Sequence, residues 1–217
     1  MNIVFLGMNK AGEDVLKWLE DRGDVSVEAV IDDKEGLQKI QGIRPDLVVS
    51  SGFEHKVPQE IIDIPEKGVV NLHPSYLPYN RGAHPYIWPI IEDTPAGVSI
   101  HFMTEELDEG PVIARKKVEK KPSDDAKDLR NRLMRKQVEL FKENWQKIIS
   151  EEAFQQSQGN SHSKNDLDEI SKLDLEQEMR LKEAIDLLRG LTYGEKKLAY
   201  FEKDGKRFHV GLDIEED

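Results

Sequence analysis

The sequence has no cysteine. This one absence excludes disulfides, thiolate metal sites and a cysteine nucleophile, and it fits a reducing compartment, so the expected location is the cytoplasm. Long hydrophobic runs are missing as well. No stretch approaches the roughly 20 consecutive apolar residues of a membrane-spanning helix, and the opening M-N-I-V-F-L-G is too short and too uncharged at its start for a signal peptide. A soluble protein without a membrane partner is expected. Positive charge is in deficit, with 31 Lys and Arg against 43 Asp and Glu for a net charge of −12. Nucleic acid and anionic membranes both select an excess of Lys and Arg, so neither is an expected partner and small-molecule chemistry is favoured. A dinucleotide loop is lacking too: Gly7 and Gly12 do not make G-x-G-x-x-G, and Asn9 and Lys10 stand where glycine would be needed.

What is present is an alternation of strand and helix patterns. With 217 residues the chain can close one hydrophobic core and carry a substantial appendage. Asn2 to Leu6 is a β-rich apolar run, and Ala11 to Glu20 sets Ala11, Val15, Leu16 and Leu19 at helical spacing. Val25 to Ile31 reads as a second strand, Lys34 to Ile40 as a short helix, Asp46 to Ser50 as a third strand and Pro58 to Ile62 as a helical turn. This predicts an α/β fold: a Rossmann-like, mostly parallel sheet with helices on both faces. Ala83 to Ile91 reads as a helix interrupted by Pro85 and Pro89.

The chain is organised around Gly68 to Gly82, G-V-V-N-L-H-P-S-Y-L-P-Y-N-R-G. If Val69 to His73 is a strand, its period of two puts Asn71 and His73 on one face and Val70 and Leu72 on the other. Pro74 cannot continue a central ladder, which leaves His73 at the carboxyl edge, where open α/β sheets keep their ligands. On residue type alone, Asn71 could equally be a cap and His73 a satisfied buried histidine. Further on, Gly97 to Met103 alternates Val98, Ile100 and Phe102 against Ser99, His101 and Met103, a strand whose partner is Pro111 to Val118. The acidic turn between them, T-E-E-L-D-E-G, contains Asp108, which can lean over the sheet or simply be solvated.

Ser123 can cap a helix carrying Asp124 and Asp125 in its first turn. Leu129, Leu133, Leu140, Phe141, Trp145 and Ile148 make its apolar stripe. From Arg115 to Lys147 there are twelve Lys or Arg against six Asp or Glu, a basic band that is either a solvated face or an attraction for an anionic substrate. Phe154 to Asn165 is polar and turn-forming. The expected division is a catalytic domain over 1–150, a polar linker or loop over 151–168, and a C-terminal helix and β-hairpin appendage over 169–217. The appendage has a helix over Glu176 to Arg189, then a hairpin turning at Asp204-Gly205. It is too small to stand alone, so it packs on the main domain or on a second copy, giving a possible homodimer.

Three segments carry a resemblance: N-L-H-P-S-Y-L-P-Y-N-R-G, P-A-G-V-S-I-H-F-M and L-D-E-G-P-V-I-A. In order and spacing, over roughly residues 2 to 150, they resemble the folate-dependent formyltransferase family, which moves a formyl group from 10-formyltetrahydrofolate to an amine. The resemblance implies Asn71, His73 and Asp108 as the catalytic trio and a site without metal. A neutral amide such as Asn71 can hold the developing oxyanion, and an imidazole such as His73 can carry protons near neutral pH. A carboxylate at Asp108 can orient the ring or relay protons. By the same resemblance the folate lies between the loop Gly52 to Pro58 and the turn Thr104 to Asp108, with Phe53, His55, Lys56, Val57, Thr104, Glu105 and Leu107 as contacts. Acceptor-side candidates are Asn9, Lys10 and Arg81, the last because a guanidinium suits an anionic group. His84, His101 and Trp88 read as packing or loop residues.

The choice of acceptor falls to the residues beyond the catalytic segment. A transfer-RNA acceptor would need a basic face, which this acidic chain lacks, and M-N-K-A-G departs from the glycine-and-asparagine loop of glycinamide ribonucleotide enzymes. The carboxyl end, with L-R-G-L-T-Y and A-Y-F-E-K-D-G-K-R-F-H-V, resembles the short tail of sugar N-formyltransferases acting on nucleotide-linked amino sugars in surface glycan synthesis. Tyr193-Gly194-Glu195-Lys196 departs from the prolines such tails often show. The alternatives are a glycinamide ribonucleotide or other small-amine formyltransferase and, in another class, a non-catalytic folate-binding protein.

Overall fold

The structure is a computed structural model that describes residues 1–215, so the last two positions of the expected appendage lie outside the described residues. The amino-terminal apolar run forms a central strand, β1 (Asn2–Leu6), with Ile3 to Leu6 fully buried. A strand covered on both faces is uniformly apolar rather than alternating. Helix α1 (Lys10–Glu20) follows, and β2 (Ser26–Ile31) closes the sheet edge. The helix expected over Lys34 to Ile40 is instead a 3₁₀ turn, Glu35–Gln38, running into α2 (Lys39–Ile43). Then come β3 (Leu47–Ser50), α3 (Gln59–Ile62) and β4 (Val69–His73), which stops where Pro74 withdraws its donor.

After a two-residue strand, β5 (Arg81–Gly82), only α4 (Trp88–Ile91) forms from the helix expected over Ala83 to Ile91. Pro89 sits in its first turn, where no N–H is needed, and the left-handed His84 turns the chain just before Pro85. Strands β6 (Gly97–Phe102) and β7 (Val112–Lys117) complete a six-stranded sheet of order β2-β1-β3-β4-β6-β7. The first four are mutually parallel, whereas β6 runs antiparallel to β4 and β7 to β6.

Helix α5 (Ala126–Glu143) is broken at Asn144 from α6 (Trp145–Ile149), and the predicted apolar stripe on the pair is buried throughout. Its cap is Asp125 rather than Ser123: Asp125 accepts from the Asp128 N–H, and Asp128 returns the contact as a capping box. Asp124, beside it, is committed to Arg132 and to the Lys121 N–H, which leaves Asp125 to take the free helix N–H. One apolar cluster joins Ile3, Phe5, Val70, Leu72 and Ile100 to α1 and α5. A second, on the other sheet face, joins Val4, Leu6, Val48 and Val69 to Leu37, Ile40, Ile61 and Ile62.

The carboxyl end comprises β8 (Ser161–His162), α7 (Lys164–Ser171), α8 (Leu181–Gly190), the short pair β9 (Thr192–Tyr193) and β10 (Lys196–Lys197), and the hairpin β11 (Tyr200–Lys203) and β12 (Lys206–His209). Helix α8 starts five residues later than the spacing predicts, where Glu183 accepts from the Arg180 N–H. A third cluster of Ile87, Trp88, Ala126, Leu167, Leu191 and Ala199 fastens this end to α4 and the start of α5. The segment 151–168 is more than a tether. Phe154 pairs with Val112, β8 pairs with β5, and α7 has already begun at Lys164. No described helix is long and apolar enough to cross a membrane.

Candidate active site

The alternation of β4 sends Val70 and Leu72 into the first apolar cluster, so Asn71 and His73 face the other way. Register with β6 then sets His101 opposite Asn71 and Ser99 opposite His73. Ser99 anchors the chain leaving β4: its Oγ donates to the Ser75 carbonyl (2.8 Å) and accepts from the Leu77 N–H (3.0 Å). Because β6 is antiparallel, the loop after it leaves at the amino end of β4, where the Met103 N–H donates to the Val69 carbonyl. It then folds back across the polar face and delivers Asp108 between the two histidines. Asp108 takes a left-handed backbone to do so (φ 55°). Gly110 permits the fold, since a Cβ there would lie 1.9 Å from the Phe102 carbonyl oxygen.

The Asp108 carboxylate is 7% exposed and its two oxygens face four groups. Oδ2 lies 3.5 Å from His73 Nδ1 and accepts from the Gly82 N–H at 2.9 Å. Oδ1 lies 3.4 Å from His101 Nε2 and 3.5 Å from Asn71 Nδ2. His101 Nδ1 meets the Phe102 carbonyl at 2.9 Å, which turns its Nε2 toward Asn71 Nδ2 at 3.3 Å. At the far end of the other ring, His73 Nε2 is 3.4 Å from the Asn80 carbonyl oxygen. Burial disfavours the Asp108 carboxylate, but interaction with His73, the His101 contact and the Gly82 N–H outweigh it and hold the group well below the usual carboxylate range. Burial pushes His73 below its ordinary value, with Asp108 pulling it back up. The pair therefore rests as a carboxylate beside a neutral imidazole, with acceptors waiting at both ring nitrogens should the ring gain a proton. The arrangement joins an amide, an imidazole and a buried carboxylate over one sheet face.

The remaining predicted residues are brought together unevenly. A cavity of about 530 Å³ is lined by His55, Lys56, Glu105, Lys34, Glu54 and Gln59, which joins the loop after β3 to the loop after β6. Phe53 is half-buried on the second apolar cluster with His55 against its edge, and Val57 is buried in that cluster. Leu107 is 68% exposed, and Thr104 Oγ1 donates to Glu106 within its own loop. Asn9 caps α1: its Oδ1 accepts from the Gly12 N–H and from Ser51 Oγ. Lys10 is exposed and pairs with Glu13 and Asp14. Arg81 is turned inward, onto Glu109 (2.6 Å) and the Gly159 carbonyl (3.2 Å), so its guanidinium is engaged within the protein. Trp88 does pack, stacked on His162. His101, by contrast, stands inside the site: the alternation of β6 put it with Ser99, but only the β4–β6 register sets it beside Asn71. Among the described residues no group of three or more His, Asp or Glu is arranged to hold a metal ion.

Comparison with known proteins identifies the family. Residues 1–144 match the family described as formyl transferase, and residues 166–216 match an N-formyltransferase dimerization C-terminal domain. A dTDP-4-amino-4,6-dideoxyglucose formyltransferase of Mycobacterium tuberculosis is 32% identical over 178 residues, covering 79% of this chain and 74% of that protein. A 4-N formyltransferase from Francisella tularensis superposes with a TM-score of 0.91 at 26% identity, covering 100% of this chain and 98% of that one. The formyltransferase PseJ from Anoxybacillus kamchatkensis, solved with UDP-4,6-dideoxy-4-formamido-L-AltNAc and tetrahydrofolate, superposes with a TM-score of 0.67 at 29% identity over 78% of this chain and 89% of that one. With one family covering the sheet and its polar face, and an N-formyltransferase unit covering the carboxyl end, the chain belongs to the formyl transferase family.

Proposed function

We propose that the protein transfers a formyl group from 10-formyltetrahydrofolate to the amine of a nucleotide-linked amino sugar destined for a surface glycan, in the cytoplasm and as a homodimer. The observation that carries the chemistry is the buried Asp108 carboxylate set between His73 and Asn71 on one face of the sheet. The amine attacks the formyl carbon, a C–N bond forms, and the carbonyl oxygen becomes an oxyanion that the Asn71 amide stabilises without competing for protons. The amine must shed a proton and the folate nitrogen must gain one as its bond to carbon breaks. A neutral His73 takes the first and returns the second, so the ring ends as it began. While charged, the imidazolium is stabilised by Asp108 at Nδ1 and by the Asn80 carbonyl at Nε2.

The folate is read into the cavity between the two loops, where Lys34 and Lys56 stand among Glu54, Glu60 and Glu105 and offer ammonium groups to its carboxylates. Of the other expected contacts Glu105 lines that cavity, and Phe53, Val57, Thr104 and Leu107 are assigned to the folate by the family resemblance of their loops. The acceptor reading rests on 32% identity to the mycobacterial enzyme over 79% of this chain, together with the N-formyltransferase match at the carboxyl end. The test incubates the protein with 10-formyltetrahydrofolate and dTDP- and UDP-linked amino sugars, with glycinamide ribonucleotide alongside, and follows each acceptor by mass. A formyl group gained by a nucleotide sugar supports the reading. Formylation of glycinamide ribonucleotide alone, or of nothing while folate still binds, overturns it.

A further inference from the structure

The segment from Phe154 to His162 packs against both groups that meet the His73 ring nitrogens, the Asp108 loop and Asn80. It starts at the Phe154–Val112 bridge and ends at β8, paired with β5. Between these anchors two amide side chains point inward. Gln156 Nε2 donates to the carbonyls of Asp108 (3.0 Å) and Gly110 (2.6 Å), the backbone of the loop that carries the carboxylate. Asn160 Oδ1 accepts from the Asn80 N–H at 2.8 Å, and Asn160 Nδ2 donates to Asn80 Oδ1 at 3.1 Å. Gly159 lets the segment lie this close, since a Cβ there would come within 1.9 Å of the Pro78 carbonyl oxygen.

The two residues so held are the two that contact His73. Asp108 meets Nδ1 and Asn80 meets Nε2, and both have left-handed backbones, φ 55° and 56°, a conformation that Asp and Asn adopt more readily than other side chains. We propose that Gln156 and Asn160 are positioning residues for His73, clamping from one segment the carboxylate and the carbonyl that orient the ring and receive its charge. This rests on the reading of His73 as the proton carrier. The titratable groups facing the ring are Asp108, from the loop after β6, and His101, from β6; Asn80 offers a neutral carbonyl.

The test compares Gln156→Leu, Asn160→Ala and the double variant with the exposed control Gln158→Ala, in the full chain. Turnover is read with both substrates, and the titration of His73 is read by NMR of isotope-labelled histidine without substrate. Each single variant is expected to lose kcat by on the order of tenfold or more with KM nearly unchanged, because a misplaced proton carrier costs rate rather than binding. The double variant falls little further than the worse single one, since both act through one imidazole. His73 titration moves further below its ordinary value, because Asp108 and the Asn80 carbonyl, which both raise it, are no longer held against the ring, while Gln158→Ala leaves it in place. Should Asn160→Ala unfold, Gln156→Leu carries the test alone, because its side chain reaches only the Asp108 loop. A His73 titration that does not move, or a rise in KM at constant kcat, overturns the proposal. A wild-type protein that formylates nothing, but whose His73 titration still moves in the variants, supports the clamp and removes the reaction assigned to it.

Discussion

At the residue scale the site depends on charge taken out of water. Removing Asn71, His73 or Asp108 as alanine is expected to lower turnover by on the order of a hundredfold or more each, with the fold intact by circular dichroism. His101 joins this set because its Nε2 faces both Asn71 and Asp108. The pH dependence has its origin in the same burial. His73 titrates below its ordinary value, so activity should fall on acidification only below about pH 6.5, where the ring protonates. Asp108 opposes that depression, so Asp108→Asn should move the acid limb of log(kcat/KM) further down, beside its loss of rate. A limb that moves up would reverse the assigned coupling. Stability has the same sign. Both groups have folded-state pKa values below their unfolded ones, so the unfolded chain binds more protons, and stability is lost as pH falls below about 6.5 for His73 and about 4 for Asp108.

At the element scale the antiparallel turn of the sheet matters most. A parallel strand in the place of β6 would send its following loop off the carboxyl edge; the antiparallel one sends it off the other edge and forces it back across the face. Gly110→Ala puts a methyl group 1.9 Å from the Phe102 carbonyl oxygen and must displace the Asp108 loop. The expected result is a loss of kcat by on the order of tenfold or more, with α5 and its cap unaffected. The cap itself gives the complementary outcome. Asp125→Ala removes the capping box of α5 and the Asp125 contact to the Gly194 N–H, and should cost about 1–2 kcal/mol in urea unfolding while leaving the rate per folded molecule unchanged.

At the scale of the whole molecule, the carboxyl end is fastened inward by Leu191, Ala199 and Trp88 but leaves apolar side chains in water. Leu181 and Ile185, one turn apart on α8, are 75% and 36% exposed, and Leu175 is 60% exposed. The dimeric reading assigns the exposed pair on α8 to a second copy. Leu181→Glu should then shift sedimentation velocity from dimer to monomer, whereas a monomeric wild type would set the dimer aside.

The sequence by itself determined the six strands of the main sheet and the reaction class, but not the short pairs β5 with β8 and β9 with β10. Val69 to His73 is legible because proline ends a ladder and because the alternation of polar and apolar residues has a period of two, both local properties. The Asp-Gly hairpin turn and the apolar stripe of α5 and α6 are legible for the same reason. Only the tertiary structure decided which residues stand around His73. His101 enters through a strand register 30 residues away, Arg81 meets Glu109, and the polar run at 154–162 packs against the Asp108 loop. Register, loop return and strap packing each depend on contacts between distant segments, and a polar residue that will face a buried carbonyl has the same local signature as one that will face water.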